Sequence, residues 1–263
     1  MSGYSYSKRH SHAHKKSWIF ILGALLVSTL VYISHSQAET AKTKAYAADY
    51  TANYNGMDID LHHQLEMLPS GQYQETSTAN RVFGKIAETA VFGIDDQGNI
   101  VPEKYSYKRS ILGVSNHEKQ FFNWSGNQLT YEKNKKSSEV LLTAGTLDMM
   151  THKLQLRRDL AAGRTQLSYS VMARKKTKTY DYEIIGKEIL TTSLGPLNTT
   201  KLRRVVKAGK KRETTIWLAD DWDYLIVKLS HQDDGESHQL KISQGHINGK
   251  NIVPLSKPIE DKL

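Results

Sequence analysis

The sequence contains no cysteine, which excludes several kinds of structure and chemistry at once. Disulfide bonds cannot form, so the fold must depend on a hydrophobic core of adequate size. Zinc sites built on thiolates, cysteine nucleophiles and lipid-modified cysteines are excluded as well. In other respects the 263-residue chain, with 38% hydrophobic and 24% charged residues, has the composition of a soluble globular protein.

Short catalytic motifs are also missing. The sequence has no G-x-S-x-G elbow, no H-E-x-x-H pair, no phosphate-binding loop and no dinucleotide fingerprint. We therefore expect a protein that is not an enzyme and that holds no metal or cofactor. The alternative is a hydrolase with a dispersed active site, because a triad assembled from distant residues leaves no local pattern.

One long hydrophobic run stands near the N-terminus, at Trp18–Ile33. Four basic residues precede it, and the small-x-small sequence Ser36-Gln37-Ala38 follows it. This order predicts a secretory signal peptide over residues 1–38, cleaved before Glu39. Its removal takes away four basic and no acidic side chains, which lowers the formal net charge from +9 to +5.

An uncleaved inner-membrane anchor is the alternative for the same segment. The run has 16 residues, somewhat fewer than the ~20 that a membrane-spanning helix needs. In either case the basic flank stays in the cytoplasm and the rest of the chain enters the periplasm. Residues 39–45 are small or charged and are predicted to form a linker. Membrane contact is then expected only through an uncleaved N-terminal segment.

Strand patterns dominate the remainder of the chain. In "MDIDLHHQLEM" (57–67) apolar and polar residues alternate, which predicts a half-buried antiparallel strand after an Asn55-Gly56 hairpin turn. His62 and His63 then face opposite sides, and His63 is expected to be a core histidine that makes a hydrogen bond.

Similar runs recur with short turns between them and without β-α-β alternation. About a dozen strands of this kind predict a mainly β fold: a single curved antiparallel sheet or partly open barrel. The predicted β domain covers residues 46–252, and residues 253–263 form a tail. Lys133–Ser138 is predicted to be a charged loop.

One segment, residues 146–162, has helical rather than strand periodicity. Thr146 is predicted to be its N-cap, and Gly163 is placed to end it in a left-handed conformation. The residues expected on its solvent-facing polar side are Asp148, Thr151, His152, Gln155, Arg158 and Asp159. The apolar side is expected to pack on the concave face of the sheet.

Arg157 lies within the apolar sector of this helix, as does Lys153. One interpretation is that their stems pack while the charged groups reach the rim, or that Arg157 pairs with a carboxylate. The other is that Arg157 is a cation at the mouth of an apolar cavity, ready for an anionic head group. Asp148 and His152, spaced i, i+4, are expected to form a solvated surface pair.

Other residue groups give weaker functional signals. The basic runs at 174–178 and 201–212 are predicted to be solvated strand faces and turns that favour anionic glycans or lipid head groups. An exported chain meets no nucleic acid, so that partner is not expected. The candidates for a sugar-stacking groove are Trp124, Trp217 and Trp222. The three histidines of the last predicted hairpin have a spacing that matches no zinc pattern: His231, His238 and His246.

Three blocks, at 145–163, 186–205 and 212–235, together resemble the bacterial exported family known as domain of unknown function 3108. The similarity extends over roughly residues 46–246. The resemblance implies a signal peptide, an antiparallel β fold with little helix, and no assigned catalytic residues. A more distant likeness to half-barrel lipoprotein carriers concerns architecture only.

These observations predict a non-catalytic periplasmic protein that binds a lipid-like or amphiphilic envelope component. The groove would lie between the curved sheet and the helix, where Met149, Met150 and Leu154 touch the ligand or the core and Arg157 lies near the polar end of the ligand. An envelope scaffold that binds another protein through a sheet edge or the basic strands is the alternative.

Overall fold

The computed structural model describes residues 43–54, 57–81, 84–206 and 212–255. The chain from Glu39 onward forms one compact unit. No helix in the described part of the chain is long and apolar enough to cross a membrane. The predicted signal peptide or anchor, and the turn residues Asn55-Gly56, lie outside the described residues.

Fifteen strands and one α-helix make up this unit. The first eight strands are β1 (Tyr46–Tyr54), β2 (Met57–Met67), β3 (Tyr73–Arg81), β4 (Gly84–Ile94), β5 (Ile100–Ile111), β6 (Val114–Asn123), β7 (Gln128–Lys133) and β8 (Lys136–Leu141). The helix α1 (Thr151–Ala161) follows. The last seven strands are β9 (Leu167–Ala173), β10 (Lys176–Thr192), β11 (Gly195–Val205), β12 (Arg212–Ala219), β13 (Leu225–Asp233), β14 (Glu236–Ile247) and β15 (Lys250–Asn251).

The strands form one antiparallel sheet in the order β8-β7-β6-β5-β4-β3-β2-β1-β14-β13-β12-β11-β10-β9, with β15 added on β14. Strands that are consecutive in the chain pair with each other, except β8 and β9, and the β1–β14 pairing joins the two halves of the sheet. The sheet is not closed, because β8 and β9 are its two ends. The predicted mainly β fold with a single curved sheet and one helix is therefore confirmed.

Hairpin connections alternate between the two ends of the strands. We call one the helix end; it carries the turns at 68–72, 95–99 and 220–224. We call the other the tip end. The tight turns described there are 112–113, 134–135, 174–175 and 234–235.

The sheet wraps around α1 at the helix end. The helix contacts β1, β5, β9 and β10 through four pairs: Arg157 with Tyr46, Gln155 with Ile100, Asp159 with Tyr169, and His152 with Tyr182. Nine strand intervals separate β5 from β10, or about 43 Å in a flat sheet. A helix is only about 10–12 Å wide, so the sheet must curve strongly for both strands to reach it.

Alternation along the strands explains the position of the core. On β1, Tyr46, Ala48 and Tyr50 are buried, and the residues between them are more exposed. These inward residues pack with Leu154, Leu156 and Leu160 of α1 in the main hydrophobic cluster. A second, smaller cluster lies near the open edges of the sheet and includes Tyr105, Leu129 and Met172. The predicted location of the apolar helix face against the sheet is thus correct.

The helix begins later than its sequence suggested. It starts at Thr151, not at residue 146, because the carboxylate of Asp148 accepts hydrogen bonds from the backbone N–H of Met150 (2.7 Å) and Thr151 (2.8 Å). The Thr151 hydroxyl in turn accepts from the N–H of Asp148 at 3.0 Å. The predicted N-cap Thr146 is therefore wrong. Gly163 has a φ of +73°, as expected for a left-handed residue after the helix.

The polar side of the helix is buried as well, which corrects a second expectation. Of the residues assigned to solvent, Asp148, Thr151, His152, Gln155 and Asp159 are all at most 7% exposed, and only Arg158 is partly exposed. Helical periodicity alone predicts that one face of α1 is exposed to solvent. The surrounding sheet buries both the apolar and the polar face. The predicted loop at 133–138 is also wrong in part, because β8 begins at Lys136 after a turn at Asn134 and Lys135.

Candidate functional site

The opening between β8 and β9, which we call the seam, interrupts the wall of the sheet. The backbone of Leu147 bridges it: Leu147 donates to the carbonyl of Ser170 and accepts from the N–H of Met172, both at 2.8 Å. The side chain of Gln120 on β6 also crosses it and donates to the carbonyls of Met172 (3.2 Å) and Arg174 (3.0 Å). This short parallel bridge to Val171 lies just before α1 in the chain. Two cavities lie along the seam, one towards each end of the strands.

The cavity at the tip end, which we call the basic cavity, has a volume of about 680 Å³. It lies between the β7–β8 and β9–β10 hairpins. Six cationic side chains line it: Lys133, Lys136, Arg174, Lys175, Lys176 and Lys178. Tyr131, Asn134, Ser137 and Ala173 complete the wall, so no carboxylate lines it. The cavity therefore suits an anionic group.

The basic cavity belongs to the concave face of the sheet. Lys178 pairs with the buried Val171, and Lys133 lies two residues from the buried Tyr131 on the same side of its strand. The nearby Glu118 is buried and forms ion pairs with Lys133 (3.3 Å) and Arg174 (3.6 Å). Burial acts to raise the pKa of Glu118, but hydrogen bonds and these cations lower it overall. One carboxylate thus compensates a minority of the positive charge.

Half-buried apolar residues lie on the same concave face, on strands nearer the middle of the sheet. Because α1 covers only the helix end, the inward residues nearer the tip end are half-buried rather than buried: Ile59, Ala79, Ile86, Leu229 and Leu240. They share a face with core residues such as Leu65 and Ile216 through the strand register. We call this region the open concave surface.

The cavity at the helix end is smaller, with a volume of about 370 Å³. Its polar groups are already paired: Asp159 accepts from Gln155, Arg164 and Tyr169, each at 2.8 Å. The Trp124 indole, also in its wall, donates to the carbonyl of Pro102 at 2.7 Å. These mutual contacts leave fewer groups for a ligand than the basic cavity offers.

The four predicted ligand-binding residues lie in or against the core and line neither cavity. Met150, Leu154 and Arg157 are 2%, 3% and 7% exposed, and Met149 packs between the two hydrophobic clusters. Arg157 lies 4.4 Å from the ring centre of Tyr46 and donates from Nε to the carbonyl of Asp223 at 3.3 Å. It forms no carboxylate pair among the described residues, so its charge is held by a ring and a backbone oxygen.

Asp148 and His152 are not a surface pair, because both are buried. Burial raises the pKa of Asp148 to about 7, and burial together with Lys153 lowers the pKa of His152 to about 3. The Asp148 carbonyl can only accept, so His152 Nδ1 donates to it (3.1 Å) and Nε2 accepts from the Tyr182 hydroxyl (3.2 Å). His152 is therefore a neutral structural residue.

His63 makes the hydrogen bond expected of a core histidine, with Glu75 at 2.9 Å. The Tyr46 hydroxyl donates to the same carboxylate oxygen at 2.7 Å, and the other oxygen of Glu75 has no partner among the described residues. Burial acts to raise the pKa of Glu75, but the bonds from His63 and Tyr46 outweigh it and lower the pKa. This cluster ties β1, β2 and β3 together beside the helix.

Two hydroxyl–imidazole pairs occur elsewhere, Ser106 with His117 (3.2 Å) and Thr214 with His231 (2.7 Å). In the described part of the chain no carboxylate is hydrogen-bonded to either ring, so neither pair has the geometry of a triad. His231 and His238 are cross-strand neighbours, whereas His246 lies apart on β14. No group of three or more residues suited to hold a metal occurs among the described residues.

The three candidate tryptophans do not form a groove. Trp124 stacks on Phe122 at the seam, and Trp222 packs against the main core from a turn. Trp217 lies on the outer face, where Lys201 and Lys228 lie over its ring and Glu188 accepts from its Nε1 at 2.5 Å. A sugar site built from these three rings is therefore not supported.

The model of the family "Protein of unknown function (DUF3108)" matches residues 49–242. This chain belongs to the DUF3108 family. The matched range contains the open concave surface and all six cations of the basic cavity. No curated protein matches the chain.

One solved structure shares the fold of this DUF3108 protein at low sequence identity, and a second is similar only distantly. A β-barrel-like protein of domain of unknown function DUF1849 from Brucella abortus matches with a TM-score of 0.50 and 8% identity, over 78% of this chain and 97% of that one. An outer membrane lipoprotein-sorting protein domain from Vibrio parahaemolyticus matches with a TM-score of 0.23 and 10% identity, over 81% and 89%. The first likeness shows the fold alone, and the second is too distant to support an argument.

The basic cavity was missed in the sequence because its two halves are far apart in the chain. In the sequence, the run 174–178 has the pattern of a solvated strand face or turn, and Lys133–Ser138 has the pattern of a charged loop. A usable signal was present: both turns are cationic and both flank the helical segment. Only the curvature of the whole sheet brings them together.

Proposed function

We propose that this protein is a non-catalytic binding protein of the cell envelope for an anionic amphiphile. The acyl part would lie on the open concave surface, and the anionic group would occupy the basic cavity. The observation that carries the proposal is the cavity of about 680 Å³ with six cations and no carboxylate in its wall, on the same concave face as the half-buried apolar residues of the open concave surface. Periplasmic location is part of the same proposal and rests on the predicted signal peptide.

The helix supports this function by filling only one half of the concave face. Its apolar residues and Arg157 close the helix end, so a ligand enters from the tip end or the seam. This placement changes the role predicted for Met149, Met150 and Leu154. In this proposal they form the apolar surface that the end of the acyl chain approaches. Met149 is the only one of the three that is partly exposed, so it is the one expected to contact the ligand.

A pair of matched ligands tests the proposal. Delipidated protein is titrated with cis-parinaric acid, a fluorescent anionic fatty acid, and with its neutral methyl ester. We expect binding of the acid to exceed that of the ester. The double variant Lys175→Glu, Lys178→Glu should weaken binding of the acid roughly 30-fold, because two cation contacts contribute about 1 kcal/mol each.

The control is Lys241→Glu with Lys250→Glu, which changes the net charge equally at exposed positions on β14 and β15. This control should bind the acid nearly as tightly as the unmodified protein. Absence of binding to the delipidated protein, or equal losses in both double variants, would refute the proposal.

A further inference from the structure

The β5–β6 hairpin presents an exposed apolar tip. Ile111, Leu112 and Val114 are 42%, 76% and 73% exposed, and Gly113 completes the turn. From this tip and the basic residues beside it, we propose that the tip end of the protein docks on an anionic lipid bilayer. The proposal does not depend on the proposed ligand, because the tip residues line neither cavity.

The β5–β6 tip projects beyond the β7–β8 hairpin. His117 of β6 is level with the β7–β8 turn, where the N–H of Asn134 donates to the His117 carbonyl at 3.0 Å and the His117 N–H donates to the Asn134 side chain at 2.9 Å. Val114 lies three residues further along the strand, or about 10 Å at the usual rise. The apolar tip can therefore enter the interfacial region of a bilayer before β7 and β8 reach it.

The backbone conformation of this turn is unfavourable for leucine. Leu112 and Gly113 have φ values of +49° and +80°, a pair for which Asn-Gly is strongly preferred. The other two-residue turns described at this end begin with polar residues, namely Asn134, Arg174 and Asp234. An exposed leucine at the strained position gains nothing from the core, so we attribute it to contact outside the protein.

Charge complementarity selects an anionic membrane as the partner. Lys85, Lys108 and Arg109 are exposed beside the tip, where Lys85 pairs with Ser110 and Arg109 with Asn116. The basic cavity extends this positive surface along the same end of the sheet. Exposed acidic residues of β2 and of the β13–β14 hairpin lie outside this basic region: Asp58, Asp60, Asp234 and Glu236. Within the basic region, Glu118 is paired with Lys133 and Arg174, and Glu132 is paired with Lys119. The membrane-facing arc therefore runs from β4 to the seam.

Apolar residues flanked by lysine and arginine match the interface of an anionic bilayer, since the apolar groups enter it and the cations contact head groups. Docking in this orientation places the basic cavity against the lipid. If the proposed function holds, a lipid can pass between the bilayer and the open concave surface without crossing water.

A single labelled cysteine tests the docking, because the chain has no cysteine of its own. Residues 39–263 contain every described strand, the helix and both core clusters, and they lack the N-terminal hydrophobic run that would itself bind lipid. In this shortened protein, residues 39–263, the cysteine of Leu112→Cys is labelled with an environment-sensitive NBD group. The control is Leu141→Cys, which is 77% exposed at the helix end.

With vesicles of phosphatidylglycerol and phosphatidylcholine, the label at position 112 should shift to the blue and brighten, and the label at 141 should not. Vesicles of phosphatidylcholine alone should give no shift. Lys108→Gln and Arg109→Gln should each weaken vesicle binding about fivefold. Equal responses of the two labels, or equal binding to both vesicle types, would overturn the proposal.

Leu112→Asn separates docking from folding. Asparagine suits the turn, so this variant should unfold at an equal or higher urea concentration while its vesicle binding falls at least tenfold. Unchanged vesicle binding in Leu112→Asn would also overturn the proposal. Fatty-acid uptake is measured without vesicles, so failure of docking and failure of the proposed function can be told apart.

Discussion

Asp148 shows how one buried carboxylate can set the pH dependence of stability. It is fully buried, one oxygen accepts from the N–H groups of Met150 and Thr151 at the start of the helix, and the other has no partner among the described residues. Burial raises its pKa to about 7 in the folded protein, whereas an unfolded aspartate has a pKa of about 3.9. The folded state therefore binds a proton more tightly than the unfolded state.

The contribution of this bound proton to the free energy of unfolding is fully present below pH 4 and is lost as the pH rises to about 7. Asp148→Asn keeps the capping oxygen and removes the ionisation. We expect the difference in unfolding free energy between this variant and the unmodified protein to grow from near zero at pH 4 to about 2–4 kcal/mol in favour of the variant at pH 8. Urea unfolding at both pH values measures it.

A constant difference between pH 4 and pH 8 would show that Asp148 is not the titrating group. His152 affects stability in the opposite direction. Its pKa is lowered to about 3 in the folded protein, so the unfolded state binds a proton more readily and the fold loses stability as the pH falls. Comparison with the unmodified protein at each pH cancels that contribution.

At the scale of single residues, sequence reasoning succeeded where a local rule was sufficient. Strand alternation placed His63 on the inner face, and the hydrogen bond to Glu75 confirms its role. It failed for Asp148 and His152, since their burial depends on strands distant in the sequence. Leu112 was not recognised as unusual, because its exposure and positive φ are visible only in the folded hairpin.

At the scale of elements, the end of α1 offers a clean test of its capping. Gly163 has a φ of +73° and nothing near its Cβ position, so Gly163→Ala should cost about 1 kcal/mol through backbone strain alone. Gly93→Ala is the matched control: it is also uncrowded but has ordinary strand geometry, and it should be neutral or slightly stabilising. Thermal unfolding of the two variants measures the difference.

Equal stabilities of the two variants would contradict the assigned C-terminal cap. The helix end could be read from the sequence because glycine after a helical run has a specific meaning. The helix start could not, because its N-cap residue is Met150, a residue type that gives no capping signal. The carboxylate of Asp148, two residues earlier, accepts from the N–H groups of Met150 and Thr151 instead.

At the scale of the whole molecule, the β class and the open sheet followed from the number of strands and the short turns. The strand order could not be predicted, because the pairing of β1 with β14 joins residues about 200 positions apart. The same pairing leaves β8 and β9 as the two ends of the curved sheet, so that the seam lies between them and two cationic hairpins meet at the basic cavity. The proposed function therefore depends on the feature of this fold that is least visible in its sequence.

The most direct test of the central claim is to locate a bound amphiphile. Delipidated protein with isotopically labelled isoleucine and leucine methyl groups is titrated with a fatty acid that carries a nitroxide at the far end of its chain, and line broadening is measured by NMR. We predict broadening at Ile59, Ile86, Leu229 and Leu240 on the open concave surface, with Ile94 and Ile252 at the helix end unaffected. Broadening confined to the helix end, or none at all, would contradict the account.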